Sequence, residues 1–305
     1  MTHFLVTGAS GLLGLNFSLA VDGKKHQVTG VDNRNPLRWI NFKTLQANLI
    51  KPDVVERIIQ EVKPDVILHC AANANVDDCE TRPEDAEKVN GVLSGEIATA
   101  AKRYDVKMIH ISTDAVFNGV TGNYTETDTP EPLSVYAKTK LHGEQAVLEA
   151  NPNALVARVN FYGWSITGTR SLAEWFAYNL AEGKRVKGFT DILFCPMMVL
   201  DLVDTLIEAA EKDLKGIYHC VGAEAMSKYE FGVAIATQFG FDANLIDPAS
   251  VHDGGLTASR SPNLTLSTEK LKTALGHPLP AFKDGLKKFH DQYRHGFPEM
   301  IKSLV

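Results

Sequence analysis

Apolar positions in the first half of the chain fall into short unbroken runs: His3 to Thr7, His26 to Val31, Asp65 to Cys70, Val106 to Ser112 and Ala154 to Val159. Runs of this length without polar alternation predict strands buried on both faces. Between them, Leu12 to Val21, about Pro52 to Val62, Pro83 to Arg103 and Val135 to Glu149 carry apolar residues at helical spacing. Strand and helix alternating so regularly predict an α/β fold, a doubly wound parallel sheet covered by helices on both faces. The alternation fades after Val159. There Asp201 to Lys212, Ser227 to Gly240, Ser267 to Leu275 and Phe282 to Arg294 predict helices, and Gly216 to Val221 a strand. The pattern predicts a main domain over residues 1–159, to which the segments around 197–221 return. A smaller lobe is expected mainly within 160–305, with no repeats and no flexible linker.

Composition narrows the class. The 305 residues are 44% hydrophobic and 22% charged, with net charge −6, as in ordinary globular domains with ample core. No block of Lys and Arg stands out, so nucleic acid is not an expected partner. The chain opens directly on a strand and has no apolar run long enough to span a bilayer, which predicts a cytoplasmic protein without a membrane partner. Cys70, Cys79, Cys195 and Cys220 show no Cys-x-x-Cys spacing and are expected as buried thiols in a reducing compartment. In that compartment the glycosylation patterns at Asn16, Asn123 and Asn263 carry no meaning. The acidic clusters have no metal-ligand spacing.

The candidate chemistry lies where the predicted strands end. Gly8-Ala9-Ser10-Gly11-Leu12-Leu13-Gly14 stands between the first strand and the first helix. Glycines there let the backbone turn tightly and approach a pyrophosphate on the helix N-terminus. The second strand ends at Asp32, followed by Asn33 and Arg34. An acid at that distance accepts from the adenosine ribose hydroxyls and repels a 2′-phosphate, so NAD(H) is the expected cofactor; Arg34 would instead favour NADP(H). Small residues after the next strand, Cys70-Ala71-Ala72-Asn73, let a cofactor lie close. Thr113 ends the following strand, where a hydroxyl can hydrogen-bond a substrate carbonyl. Tyr136 and Lys140 stand four apart on one helix face. A nearby ammonium is expected to lower the phenol's pKa towards neutrality. Hydroxyl, phenol and ammonium could thus converge where a carbonyl is reduced or an alcohol oxidised.

With these residues in place the chain resembles the extended short-chain dehydrogenases/reductases, and within them the dTDP-4-dehydrorhamnose reductase family. The likeness runs through Gly8 to Gly14, Asp65 to Ala72, Val76-Asp77-Asp78-Cys79-Glu80, Ser112-Thr113-Asp114 with Val116-Phe117, Pro132-Leu133 before Val135-Tyr136, and Lys138 to Leu141 with Gly143-Glu144. It extends to Arg260-Ser261-Pro262-Asn263 and Leu266 to Lys270. The resemblance implies a Rossmann-like fold with a smaller C-terminal substrate-binding lobe. It also implies NAD(P)H-dependent reduction of the C4 keto group of a nucleotide-linked 6-deoxy sugar, a nucleotide-diphosphate sugar being the small-molecule partner. Thr113, Tyr136 and Lys140 would be catalytic. Asn48 and Leu49 would join the glycine turn, Asp32 and Ala71 to Asn73 around the dinucleotide, with Tyr136 and Lys140 also touching it. Asp114, Phe161 and Arg260 would face the substrate, Arg260 at its diphosphate. Ala115 replaces a tyrosine usual beside the substrate, Asn48 replaces an aspartate, and Arg158 to Gly163 departs from the family pattern, which leaves the particular sugar open. Two further roles stay open: a nucleotide-sugar epimerase, and a non-catalytic regulatory subunit like the β subunit of methionine adenosyltransferase. A homodimer is among the expected assemblies.

Overall fold

The computed structural model describes residues 1–23, 26–33, 35–253 and 261–305. Six strands come from the first 159 residues: β1 (Thr2–Thr7), β2 (His26–Asp32), β3 (Lys43–Gln46), β4 (Val66–His69), β5 (Lys107–Thr113) and β6 (Leu155–Val159). They join the later strand Gly216–Cys220 in one seven-stranded sheet. Its order is Gly216–Cys220, β6, β5, β4, β1, β2, β3, and every neighbouring pair is parallel. The chain starts in the middle, runs outward to β3, then crosses back to β4 beside β1. That reversal leaves a crevice beyond the carboxyl ends of β1 and β4, where ligands of such sheets bind.

Successive residues of β1 point to opposite faces of the sheet. Phe4 and Val6 enter one core, with Leu13 and Phe17 of α1 (Leu12–Val21), Trp164 and Phe289. Leu5 enters the other, with Ile58 of α2 (Val54–Val62), Ile97 and Val147. Each side chain buried as fully as Phe17 contributes about 1.5–3 kcal/mol. On the second face lie α3 (Val76–Thr81), α4 (Pro83–Glu87), α5 (Leu93–Arg103) and α6 (Val135–Ala150). The remaining helices are α7 (Leu172–Ala181), α8 (Val199–Glu211), α9 (Lys228–Phe239), α10 (Glu269–Leu275), α11 (Phe282–Arg294) and α12 (Phe297–Lys302). Trp164 stacks on Phe289 with ring centroids 4.0 Å apart, and Asn16 of α1 donates to the Trp164 carbonyl at 2.9 Å. These contacts tie the segment after β6 to both α1 and α11.

One expected helix is divided. Pro83 to Arg103 is not continuous α-helix: Lys88–Val92 forms a π turn between α4 and α5. The turn places the fully buried Asn90 so that its side-chain oxygen accepts from Asn73 N at 2.8 Å and its amide donates to Thr139 Oγ1 at 3.1 Å. It also brings the Asn90 carbonyl so close to Gly143 that a Cβ there would collide with it. Among the described residues, no helix is long and apolar enough to cross a membrane. Nor does any group of three His, Cys, Asp or Glu side chains there suit a metal ion.

Candidate active site

A cleft of about 440 Å³ opens at the carboxyl ends of the strands. Gly8, Ser10 and Gly11 line it after β1, Asp32 and Asn33 after β2, Asn48 and Leu49 after β3, and Cys70, Ala71, Ala72 and Asn73 after β4. Four separated segments of sequence are thus brought around one space. Gly8 has φ +68°, and a Cβ on it would sit 2.8 Å from Ala71 N, so only glycine lets the two strand ends approach. The Gly11 N–H donates to the Gly8 carbonyl at 2.9 Å. No side chain caps α1 at Gly11, which suits its first N–H groups to an anion. Leu12 and Leu13 turn their side chains to the core. Gly14 lies under the Gly8 carbonyl, where a Cβ would collide.

Asp32 is only 3% exposed. Its Oδ2 accepts from Leu37 N at 3.1 Å. Burial pushes its carboxyl above the usual range, and the Leu37 N–H partly offsets this. Its Oδ1 is buried with no hydrogen-bond partner among the described residues. Arg34 and Arg260 lie outside the described residues.

Thr113 ends β5 and is buried. Its hydroxyl donates to Asp114 Oδ1 at 3.1 Å and accepts from Ala115 N at 3.2 Å. Ser134 caps α6 by accepting from Ala137 N at 3.2 Å, which sets Tyr136 in the helix's first turn. Lys140, one turn on, is 3% exposed and donates from Nζ to the Ile111 carbonyl at 2.7 Å.

The expected acidification of Tyr136 is not found. Burial pushes its phenol up to about 12; the Thr113 hydroxyl lowers it, and the charges of Asp114 and Cys79 raise it. The Lys140 ammonium is engaged with β5 and is not among the groups acting on the phenol. Burial brings Lys140 itself down to about 8, against the charges of Glu144 and Cys70. Asp114 is pushed up to about 6 by burial, opposed by hydrogen bonds from Asn160 and Thr113; Asn160 Nδ2 donates to its Oδ2 at 2.6 Å.

A second cavity of about 120 Å³ is lined by Tyr136, Ser134, Ala115, Asn160 and Lys228, with Ile192, Phe194 and Leu264 among its apolar walls. Phe161, expected to face a substrate, is partly buried and packs against the core, while the residue before it, Asn160, lines the cavity. A one-residue shift along an extended segment turns a side chain to the other face. Lys228 and the Ile192–Phe194 wall were not foreseen. The Ser227–Glu230 capping box marks the start of α9 in the sequence, but nothing local there points to a cleft.

The family described as the RmlD substrate binding domain matches residues 1–295. The probable low-salt glycan biosynthesis reductase Agl14 of Haloferax volcanii is 32% identical over 288 residues, covering 93% of this chain and 96% of that protein. Methionine adenosyltransferase 2 subunit beta of Mus musculus is 32% identical over 292 residues, covering 93% and 86%. The crystal structure of a dTDP-4-dehydrorhamnose reductase from Clostridium acetobutylicum superposes with a TM-score of 0.83 at 27% identity, covering 96% of this chain and 99% of that one.

Proposed function

The chain belongs to the family described as the RmlD substrate binding domain, and from that membership we propose that it is an NAD(P)H-dependent oxidoreductase. Its reaction is reduction of the C4 keto group of a nucleotide-linked 6-deoxy sugar, as the name of its Clostridium neighbour suggests. The observation that carries the reading is the Tyr136 phenol on the wall of the second cavity, with the Thr113 hydroxyl close enough to lower its pKa.

The residues fit a dinucleotide. Among the described residues the buried Asp32 Oδ1 lacks a partner, which a ribose hydroxyl would supply. The Gly8–Gly14 turn leaves space and uncapped N–H groups for a pyrophosphate. Asn48, Leu49 and Cys70 to Asn73 would complete the walls, and Lys140 would hold the nicotinamide ribose. When bound, the reduced nicotinamide supplies hydride. Tyr136 keeps its proton at neutral pH, its phenol standing near 12, and gives it to the carbonyl oxygen. Thr113 turns its one O–H from Asp114 Oδ1 to that oxygen and donates to it as negative charge develops. Lys140, charged below about 8, adds a positive charge behind the site. Asp114, Asn160 and Arg260 would face the sugar nucleotide.

The same reading assigns residues 1–159, with 197–221, to the dinucleotide and 160–305 mainly to the sugar nucleotide. Pairing of Gly216–Cys220 with β6 supports the return of that segment. Four free cysteines suit a reducing cytoplasm. A second reading, a non-catalytic binding subunit, is supported by the likeness to the methionine adenosyltransferase subunit.

Incubating the protein with NADPH or NADH and dTDP-4-dehydrorhamnose separates the readings. Oxidation of the cofactor with formation of the C4 alcohol supports the reductase. A rearranged sugar without net cofactor oxidation indicates an epimerase. Cofactor binding with no turnover of any keto-sugar nucleotide indicates the binding subunit.

A further inference from the structure

The segment after β6 carries a guanidinium that the fold does not use. Glu174, fully buried, accepts from the N–H groups of Ser165 at 2.6 Å, Arg170 at 3.0 Å and Ser171 at 3.1 Å, and from the Ser165 hydroxyl at 2.8 Å. One carboxylate thereby fixes both ends of residues 165–171. The Ser171 hydroxyl donates to the Gly163 carbonyl at 2.9 Å, which anchors the segment beside α1. The exposed Arg170 side chain has no hydrogen bond or ion pair among the described residues.

Arg170 nevertheless lines the main cleft together with Ser10, Gly11 and Asp32. It also lines a side cavity of about 110 Å³ whose other polar walls are Ser10, Asn35, Ser165 and Thr167, with Val305 closing it. Ser10, Asn35 and Arg170 are shared between the two spaces. The side cavity therefore opens off the cleft next to the ribose acid, since Asn35 lies three residues past Asp32. Asp32 turns one carboxylate oxygen away to the Leu37 N–H. A guanidinium carried on this fixed backbone and flanked by hydroxyl and amide groups is suited to the oxygens of a phosphate.

We propose that Ser10, Asn35, Thr167 and Arg170 seat the adenosine 2′-phosphate, so that acceptance of NADP(H) is set by the segment after β6. The inference rests on the dinucleotide reading above. It amends the expectation drawn from Asp32 alone: the guanidinium offsets the acid's repulsion of the phosphate.

Calorimetric titration of NADPH and NADH into the parent, Arg170→Ala and Arg170→Lys proteins tests it. NADPH binds the parent at least as tightly as NADH. Arg170→Ala weakens NADPH by about tenfold or more while NADH changes by less than about twofold, as expected for loss of one charged hydrogen-bonding group. Arg170→Lys falls between. An unchanged denaturation midpoint verifies that the exposed substitution leaves the fold intact. Equal weakening of both nucleotides would place Arg170 on a phosphate common to both and overturn the assignment, as would unchanged NADPH binding. If the parent bound neither nucleotide, the dinucleotide reading itself would fall and take this inference with it; selective loss or retention is read only against a binding parent.

Discussion

The Lys140 ammonium donates to the Ile111 carbonyl at 2.7 Å, joining α6 to β5 two residues before Thr113. The two elements that carry Tyr136 and Thr113 are thereby tied together by a buried ammonium. Because burial lowers that ammonium to about 8, its charge is present below that pH and lost above it. Cofactor affinity of the parent therefore falls as pH rises through about 8. In Lys140→Met it is lower throughout and flat across the same range, as nucleotide titrations at several pH values will report. For stability the sign is opposite. Between about 8 and the ordinary value of 10.5 the unfolded chain holds this proton more firmly, so this residue's contribution grows with pH.

Asp114 offers a separate pH test. Its carboxyl ionises near 3.8 when unfolded and near 6 when folded, so the folded state holds the extra proton between those values. Its contribution to stability falls as pH rises through that window. The amide introduced by Asp114→Asn does not titrate. The unfolding free energy of that variant, relative to the parent, should rise from pH 4 to pH 7 by no more than about 3 kcal/mol. A difference independent of pH, measured in urea, would contradict the buried, neutral-leaning carboxyl.

Behind the site, Glu144 and Arg158 form an ion pair of 2.8 Å with both side chains 2% exposed. The Glu144 carboxylate also accepts from Ser112 Oγ, and Arg158 lies 5.0 Å from the Phe117 ring centroid. Glu144→Gln leaves a buried guanidinium without its counter-charge and should destabilise the protein by about 3–5 kcal/mol, whereas Glu144→Met with Arg158→Met should lose much less. Chemical denaturation of the three proteins gives the comparison. Equal losses in the single and double variants would mean that packing, not the unpaired charge, dominates.

Gly8→Ala should damage the cleft directly. The residue sits at φ +68°, and its new methyl would meet the Ala71 backbone at 2.8 Å, pushing β1 and β4 ends apart. Lower thermal stability and weaker binding of both NADH and NADPH are expected together. Normal binding of both would show that the strand ends yield without reshaping the cleft.

The sheet was legible because β1, β2, β4, β5 and β6 are covered on both faces and so read as unbroken apolar runs. β3 was not, since Lys43-Thr44-Leu45-Gln46 is a short edge strand with an exposed–intermediate pattern. α7 went unread, although Ser171 and Glu174 form a capping box whose spacing is visible in the sequence. The cleft residues of the strand ends were legible because topology gathers strand ends. Asn160, Lys228 and Arg170 were not, because their places depend on how segments beyond β6 fold back over the sheet. The high phenol of Tyr136 was equally hidden: spacing put Lys140 on its face of the helix, while burial and the Ile111 carbonyl decided what the ammonium does.

The proposed division of labour has Tyr136 give the proton while other residues hold the dinucleotide. Its most direct test is a paired measurement on the parent and Tyr136→Phe: turnover of dTDP-4-dehydrorhamnose with NADPH, and NADPH affinity without the sugar. In Tyr136→Phe kcat falls by roughly 10²–10⁴-fold, the usual range for a positioned acid, with nearly unchanged affinity. A Tyr136→Phe protein as active as the parent would contradict that division of labour.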